Sequence, residues 1–183
     1  LADFHWRRSG KLIIHRRQQD LAKAAKGIDP QFQQALSREE CVHLEPALKH
    51  IGHSLCGGIY SPGDETADCY KFCQALLAKL NASANFSLQT DCDVLQLNKK
   101  GERIDSITTT TGTLVADDYV VAAGNGSKHL LAGTGTHVPL CGLKGYSLTL
   151  PFPQEMGIAP QISVTDYGHK IVYARLGERL RIA

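Results

Sequence analysis

Between Asp117-Asp118 and Gly124-Asn125-Gly126 the chain runs through Tyr119-Val120-Val121-Ala122-Ala123 without a polar residue. A run of that length with no alternation predicts a strand buried on both faces. Gly124 and Gly126 fall where it gives way to a turn, and bare backbone there tolerates positive φ and a bulky neighbour. Ligands in open α/β sheets sit at such carboxyl ends. An ordinary glycine turn after a buried strand has the same pattern, and periodicity alone does not separate the two.

The rest of the pattern is mixed. Residues 4–15 read as two short strands around Ser9-Gly10. Residues 18–26 favour a helix, stopped by Gly27 and Pro30. Ser37-Arg38-Glu39-Glu40 is a capping box, in which Ser37 and Glu40 satisfy each other's amides; its helix ends before Pro46. Residues 51–63 are strand and turn material. Asp64-Glu65-Thr66 then opens the best helix, with Tyr70, Cys73, Leu76, Leu77 and Leu80 on one face and Asp64 and Asp68 as caps. Residues 86–115 alternate as a meander of four strands turning at Lys100-Gly101 and Thr111-Gly112. A strand at 138–140 and a long one over 143–150 follow, with more at 161–164, 170–175 and 179–182.

Composition narrows the function classes. Hydrophobic residues make up 43% of 183, enough for a packed core. No apolar run is long enough to span a bilayer, and Leu1 opens no signal-peptide pattern. A net charge of +2 is too small for a general polyanion-binding surface. The basic residues between Arg7 and Arg17 interrupt an apolar strand pattern, which reads as a solvated strand face, so no nucleic-acid partner is expected. Cys41, Cys56, Cys69, Cys73, Cys92 and Cys141 form no C-x-x-C pair, and the histidines form no H-E-x-x-H array. Free thiols in a reducing cytoplasm and no metal site are the expectation.

Several segments together carry a resemblance. They are Arg8-Ser9-Gly10-Lys11-Leu12, Leu44-Glu45-Pro46-Ala47-Leu48 and the run from Gly57-Gly58-Ile59-Tyr60 through Ser61-Pro62-Gly63-Asp64-Glu65-Thr66-Ala67-Asp68-Cys69. Tyr119 to Gly124, Pro139-Leu140-Cys141-Gly142-Leu143-Lys144-Gly145-Tyr146-Ser147 and Arg179-Leu180-Arg181-Ile182-Ala183 continue it. In this order they resemble flavin-dependent D-amino-acid dehydrogenases of the small-subunit type, within the wider family of D-amino-acid oxidase, glycine oxidase and sarcosine oxidase. Pro62 to Asp68 and Lys144 to Ser147 are most specific to the dehydrogenase branch.

The resemblance implies an α+β fold: a mixed, largely antiparallel substrate-domain sheet with helices, plus part of an FAD-binding Rossmann-like domain. It implies substrate-domain elements in 1–80, a partial FAD-binding domain in 81–135, and substrate-domain strands in 136–183. The family opens with G-x-G-x-x-G, whose helix N-terminus holds the cofactor pyrophosphate. This sequence contains no such motif, nor the family's closing segment with the arginine that pairs with the substrate carboxylate. The chain therefore reads as the middle of a longer enzyme, expected to bind FAD poorly and to be inactive alone.

The activity implied is oxidative deamination of D-amino acids such as D-alanine. A hydride leaves Cα for the flavin, and water hydrolyses the imino acid to a 2-oxo acid and ammonia. The neutral amine drives the hydride out, so no strong side-chain base is required and no catalytic residue is singled out. By position, Val94, Ala122, Ala123 and Gly124 are implied in cofactor contact, and Tyr146, Tyr173 and Arg175 in a wall over the substrate. Implied partners are the D-amino acid and a respiratory electron acceptor, with a cytoplasmic location and peripheral contact at the inner membrane. Alternatives are a glycine- or sarcosine-type amine oxidase, or a non-catalytic assembly fragment.

Overall fold

The computed structural model describes residues 3–152 and 159–183. Residues 153–158, inside the predicted 136–183 strand region, lie outside the described residues. The chain divides into two compact units, Leu1–Ala84 with Gly145–Ala183, and Asn85–Lys144.

The first unit is built on a seven-stranded sheet. Its strands are β1 (Lys11–His15), β2 (Gln34–Ser37), β3 (Gly57–Ser61), β7 (Leu148–Pro151), β8 (Ser163–Asp166), β9 (Ile171–Leu176) and β10 (Arg179–Ile182). The order across the sheet is β2-β3-β1-β8-β9-β10-β7. The β1–β8 pair is parallel and the other pairs are antiparallel. With its helices this is a mixed, largely antiparallel α+β fold.

Alternation along β1 explains the core. Leu12 and Ile14 point to one face and are 0% and 1% exposed. Leu12 pairs with Val164, which pairs in turn with Tyr173, so all three share that face. Helix α2 (Arg38–Leu44) and the 3₁₀ turn Pro46–Leu48 supply Cys41 and Leu48 to the same cluster, and Leu55 joins them from the end of a second 3₁₀ turn, Gly52–Ser54. Gly58 permits the approach: a Cβ there would lie 3.0 Å from Cys41 Sγ and 2.9 Å from Ile13 O. Both arms of the capping box form, with Ser37 N donating to Glu40 Oε2 at 2.7 Å and Glu40 N to Ser37 Oγ at 3.2 Å. Glu45, 1% exposed, accepts from the amides of Ala47, Gln161 and Ile162, so its buried carboxylate ties the helix layer to the strand entering β8.

Helix α1 (Gln18–Ala25) matches its predicted span. The large helix does not begin at Asp64. α3 is Cys69–Asn81 and Asp68 is its N-cap, accepting from the amides of Tyr70 and Lys71. Residues 64–66 are committed elsewhere, because Thr66 exchanges both backbone hydrogen bonds with Arg7 and the Asp64 carbonyl accepts from Gly10. The same pairing leaves Lys11–His15 as the one strand formed within 4–15. Most of the predicted apolar face of α3 is exposed; Tyr70 is 70% accessible, and Ala75 is the buried position.

The second unit is a local meander, β4 (Val94–Lys100), β5 (Arg103–Thr109) and β6 (Gly112–Leu114), followed by α4 (Gly126–Ala132). Its turns fall at Gly101 and Gly112, both with positive φ. The predicted strand over 86–90 is irregular, and of the long strand over 143–150 the part from Leu148 forms. The run from Tyr119 to Ala123 is also irregular and is not buried; Val120 is 91% exposed. A strand dry on both faces needs paired neighbours, and among the described residues no strand pairs with this one.

Candidate functional site

In the second unit the residues implied in cofactor contact lie on open surface. Val94 opens β4, pairs with Thr109, and is 38% exposed. Tyr119 pins the irregular run: its hydroxyl donates to Asp105 O and accepts from Ala116 N. Ala122, Ala123 and Gly124 are exposed, and the amide of Ala123 donates to Ser127 Oγ at 3.1 Å. Gly124 has φ 54°, and an added Cβ would meet nothing within 4 Å. Beside this run lies a pocket of about 300 Å³ lined by Lys99, Glu102, Tyr119, Val121 and Thr134 among others.

In the first unit the β8–β9 hairpin gathers a second group. Asp166, 3% exposed, accepts from the amides of Gly168 and His169, making an Asx turn. Its other oxygen takes Arg16 Nη2 at 2.8 Å and His169 Nδ1 at 2.9 Å. Burial pushes this carboxyl up, but the hydrogen bonds from Arg16 and His169 outweigh it, and its pKa falls to about 2. The turn sets Tyr167 against the ring of His15, centroids 4.9 Å apart, and Lys170 Nζ sits 3.6 Å from the Tyr167 ring centroid. His15 is 2% exposed with neither ring nitrogen hydrogen-bonded. Burial lowers its pKa, opposed by Asp20 and reinforced by Lys170.

The residues implied in a substrate wall all belong to the first unit. Tyr173 and Arg175 share one face of β9, as their spacing predicts. Tyr173 is partly buried against the core cluster, and Arg175, 6% exposed, donates from Nε to Gly177 O. Tyr146 is 81% exposed, in the irregular stretch before β7. Sequence reasoning missed His15, Arg16 and the turn residues that Asp166 organises. Asp166-Tyr167-Gly168-His169 is a legible Asx-turn signal, but their meeting with β1 comes from strands remote in sequence.

The whole chain, residues 1–183, matches the model of the DAO family, FAD dependent oxidoreductase. The chain belongs to that family. It is 42% identical over 184 residues to D-amino acid dehydrogenase 2 of Pseudomonas aeruginosa, covering 100% of this chain and 43% of the relative. A D-amino acid dehydrogenase of Vibrio vulnificus is 38% identical over 186 residues, covering 99% of this chain and 44% of the relative. The chain thus spans less than half the length of these curated relatives. Among solved structures it is similar to glycine oxidase from Geobacillus kaustophilus, with a TM-score of 0.78 at 23% identity over 98% of this chain and 48% of that one. L-proline dehydrogenase from P. horikoshii follows, with 0.77 at 14% identity over 98% and 49%. At such identity the structures show the fold alone.

The local geometry fits the family's flavin in part. Exposed main chain at 122–124, with no side chain over Gly124, leaves room for a nucleotide, whereas the sequence holds no glycine-rich phosphate loop. Membership of the family rests on the full-length match. Among the described residues no group of His, Cys, Asp or Glu is placed to hold a metal. No described helix is long and apolar enough to cross a membrane.

Proposed function

We propose that the protein carrying this chain oxidises D-amino acids to 2-oxo acids and ammonia with FAD as cofactor. The observation that supports it is 38–42% identity along essentially the whole chain to proteins named D-amino acid dehydrogenase. When bound, FAD supplies the acceptor for the substrate's Cα hydride; water then hydrolyses the released imino acid. Residues 81–135 belong to the FAD domain in this reading, and 1–80 and 136–183 to the substrate domain. Main chain at Ala122, Ala123 and Gly124, with Val94 on the neighbouring strand, contacts the cofactor. Tyr146, Tyr173 and Arg175 form the substrate wall, the last two from a strand already fixed in the core. This places the burden on orientation rather than on a side-chain base. The electron acceptor is respiratory, reached by peripheral contact with the inner membrane.

The sequence resemblance also implies a second substrate class, glycine- or sarcosine-type amines. Steady-state turnover of the full-length flavoprotein with a dye acceptor separates the two. D-alanine should give pyruvate and ammonia with a kcat/KM at least tenfold above glycine or sarcosine, roughly the discrimination available from one well-fitted apolar group. Preference for glycine or sarcosine would overturn the D-amino-acid reading, and no turnover of any amine would overturn both.

A further inference from the structure

We propose that the first unit carries a binding pocket for a phosphate-type oxyanion, formed by Lys71 of α3 with Arg179 and Arg181 of β10. The oxidation proposed above does not require it. The pocket has a volume of about 360 Å³. Arg179 and Arg181 are two apart on one strand, so both project from the same face. Register places them over Leu176 of β9 and Thr149 of β7, which line the same pocket. Lys71 and Tyr70 enter from the first turn of α3.

The charge balance is what points to an anion. Asp68 is the one carboxylate lining the pocket, and it is fully engaged. One of its oxygens accepts the amides of Tyr70 and Lys71, and the other accepts from Arg179 Nη2. Those hydrogen bonds hold its pKa down despite the opposing effect of burial. Arg179 is therefore spoken for in part, while Lys71 and Arg181 form no ion pair among the described residues. Lys71 Nζ lies 2.6 Å from His5 Nε2, and Arg181 Nη2 donates to Ser147 Oγ at 3.0 Å. Among the described residues neither cation has a carboxylate partner, around a concave surface that also offers the Thr149 hydroxyl and the Tyr70 phenol. Arginine's planar fork and lysine's point charge are the usual phosphate donors. The oxyanion is either free phosphate or a phosphate borne on a lipid headgroup.

The test is titration of the full-length protein with inorganic phosphate, followed calorimetrically against chloride at matched ionic strength. Sedimentation with vesicles of phosphatidylcholine, with and without phosphatidylglycerol, runs in parallel. Saturable phosphate binding that weakens roughly tenfold in Lys71→Gln and in Arg181→Gln, and is retained in Arg181→Lys, supports the site. Unchanged thermal unfolding of the variants without phosphate shows that they are folded. Vesicle binding that needs phosphatidylglycerol and is lost in the same variants supports the site with a headgroup as the source; phosphate binding without vesicle binding supports it with a soluble source. If neither ligand binds, or if both glutamine variants bind as the parent does, the proposal is overturned.

Discussion

At the scale of single residues, Asp166 and His15 both have lowered pKa values, and both withdraw stability from the first unit as pH falls. Asp166 lies at about pH 2 when folded against 3.8 in the free side chain. Its hydrogen bonds therefore stabilise the fold above pH 3.8, by about 2 kcal/mol, and that contribution drains away as pH falls toward 2. Asp166→Asn keeps an acceptor for the turn amides but removes the charge facing Arg16 and His169. It should lower stability at pH 7 by roughly 2 kcal/mol, and the acid limb of a denaturation-midpoint-against-pH curve should flatten. A variant as stable as the parent at pH 7 would show the pair to be unimportant. His15 behaves oppositely to a paired histidine. Its folded pKa lies below 6.5, so the unfolded chain takes up a proton first and stability drops as pH falls below 6.5. His15→Phe keeps a ring against Tyr167 and should remove that loss between pH 6.5 and 5. If chemical denaturation shows the same slope in both proteins, His15 is not the titrating group.

At the scale of elements, strictly local signals were the legible ones. The capping box of α2 needs four consecutive residues, and all its hydrogen bonds form. Ser37→Ala should cost about 1 kcal/mol in urea denaturation without changing the m-value. An unchanged midpoint would mean that α2 is held entirely by Cys41 and Leu44 on the sheet. The glycine turns of the meander were legible for the same reason, since Gly101 and Gly112 adopt positive φ within the turn itself. Segments whose state depends on remote partners were not. Tyr119 to Ala123 has the composition of a central strand, but composition supplies no neighbours to pair with. The apolar positions of α3 have helical spacing, yet spacing does not say what covers them, and Tyr70 and Leu76 stay exposed. Asp64 and Asp68 look alike as caps in sequence; backbone pairing of residues 64 and 66 with residues 10 and 7 decides for Asp68.

At the scale of the molecule, the family was legible in strings of residues spread along the chain, while the candidate site was only partly so. Tyr173 and Arg175 sit on one strand face as read, but the core takes one and Gly177 holds the other. The His15–Tyr167 contact and the basic pocket arise from strand order across the sheet, which no local window contains. The parallel pair β1–β8 at the sheet's centre has a further consequence for biosynthesis. The meander of the second unit joins neighbours in sequence and can form as soon as it clears the ribosome, whereas one edge of β1 finds its partner only when the distant β8 has been made. Until then β1, already zipped to β3 along one side, holds its other row of amides and carbonyls open for the late-arriving strand.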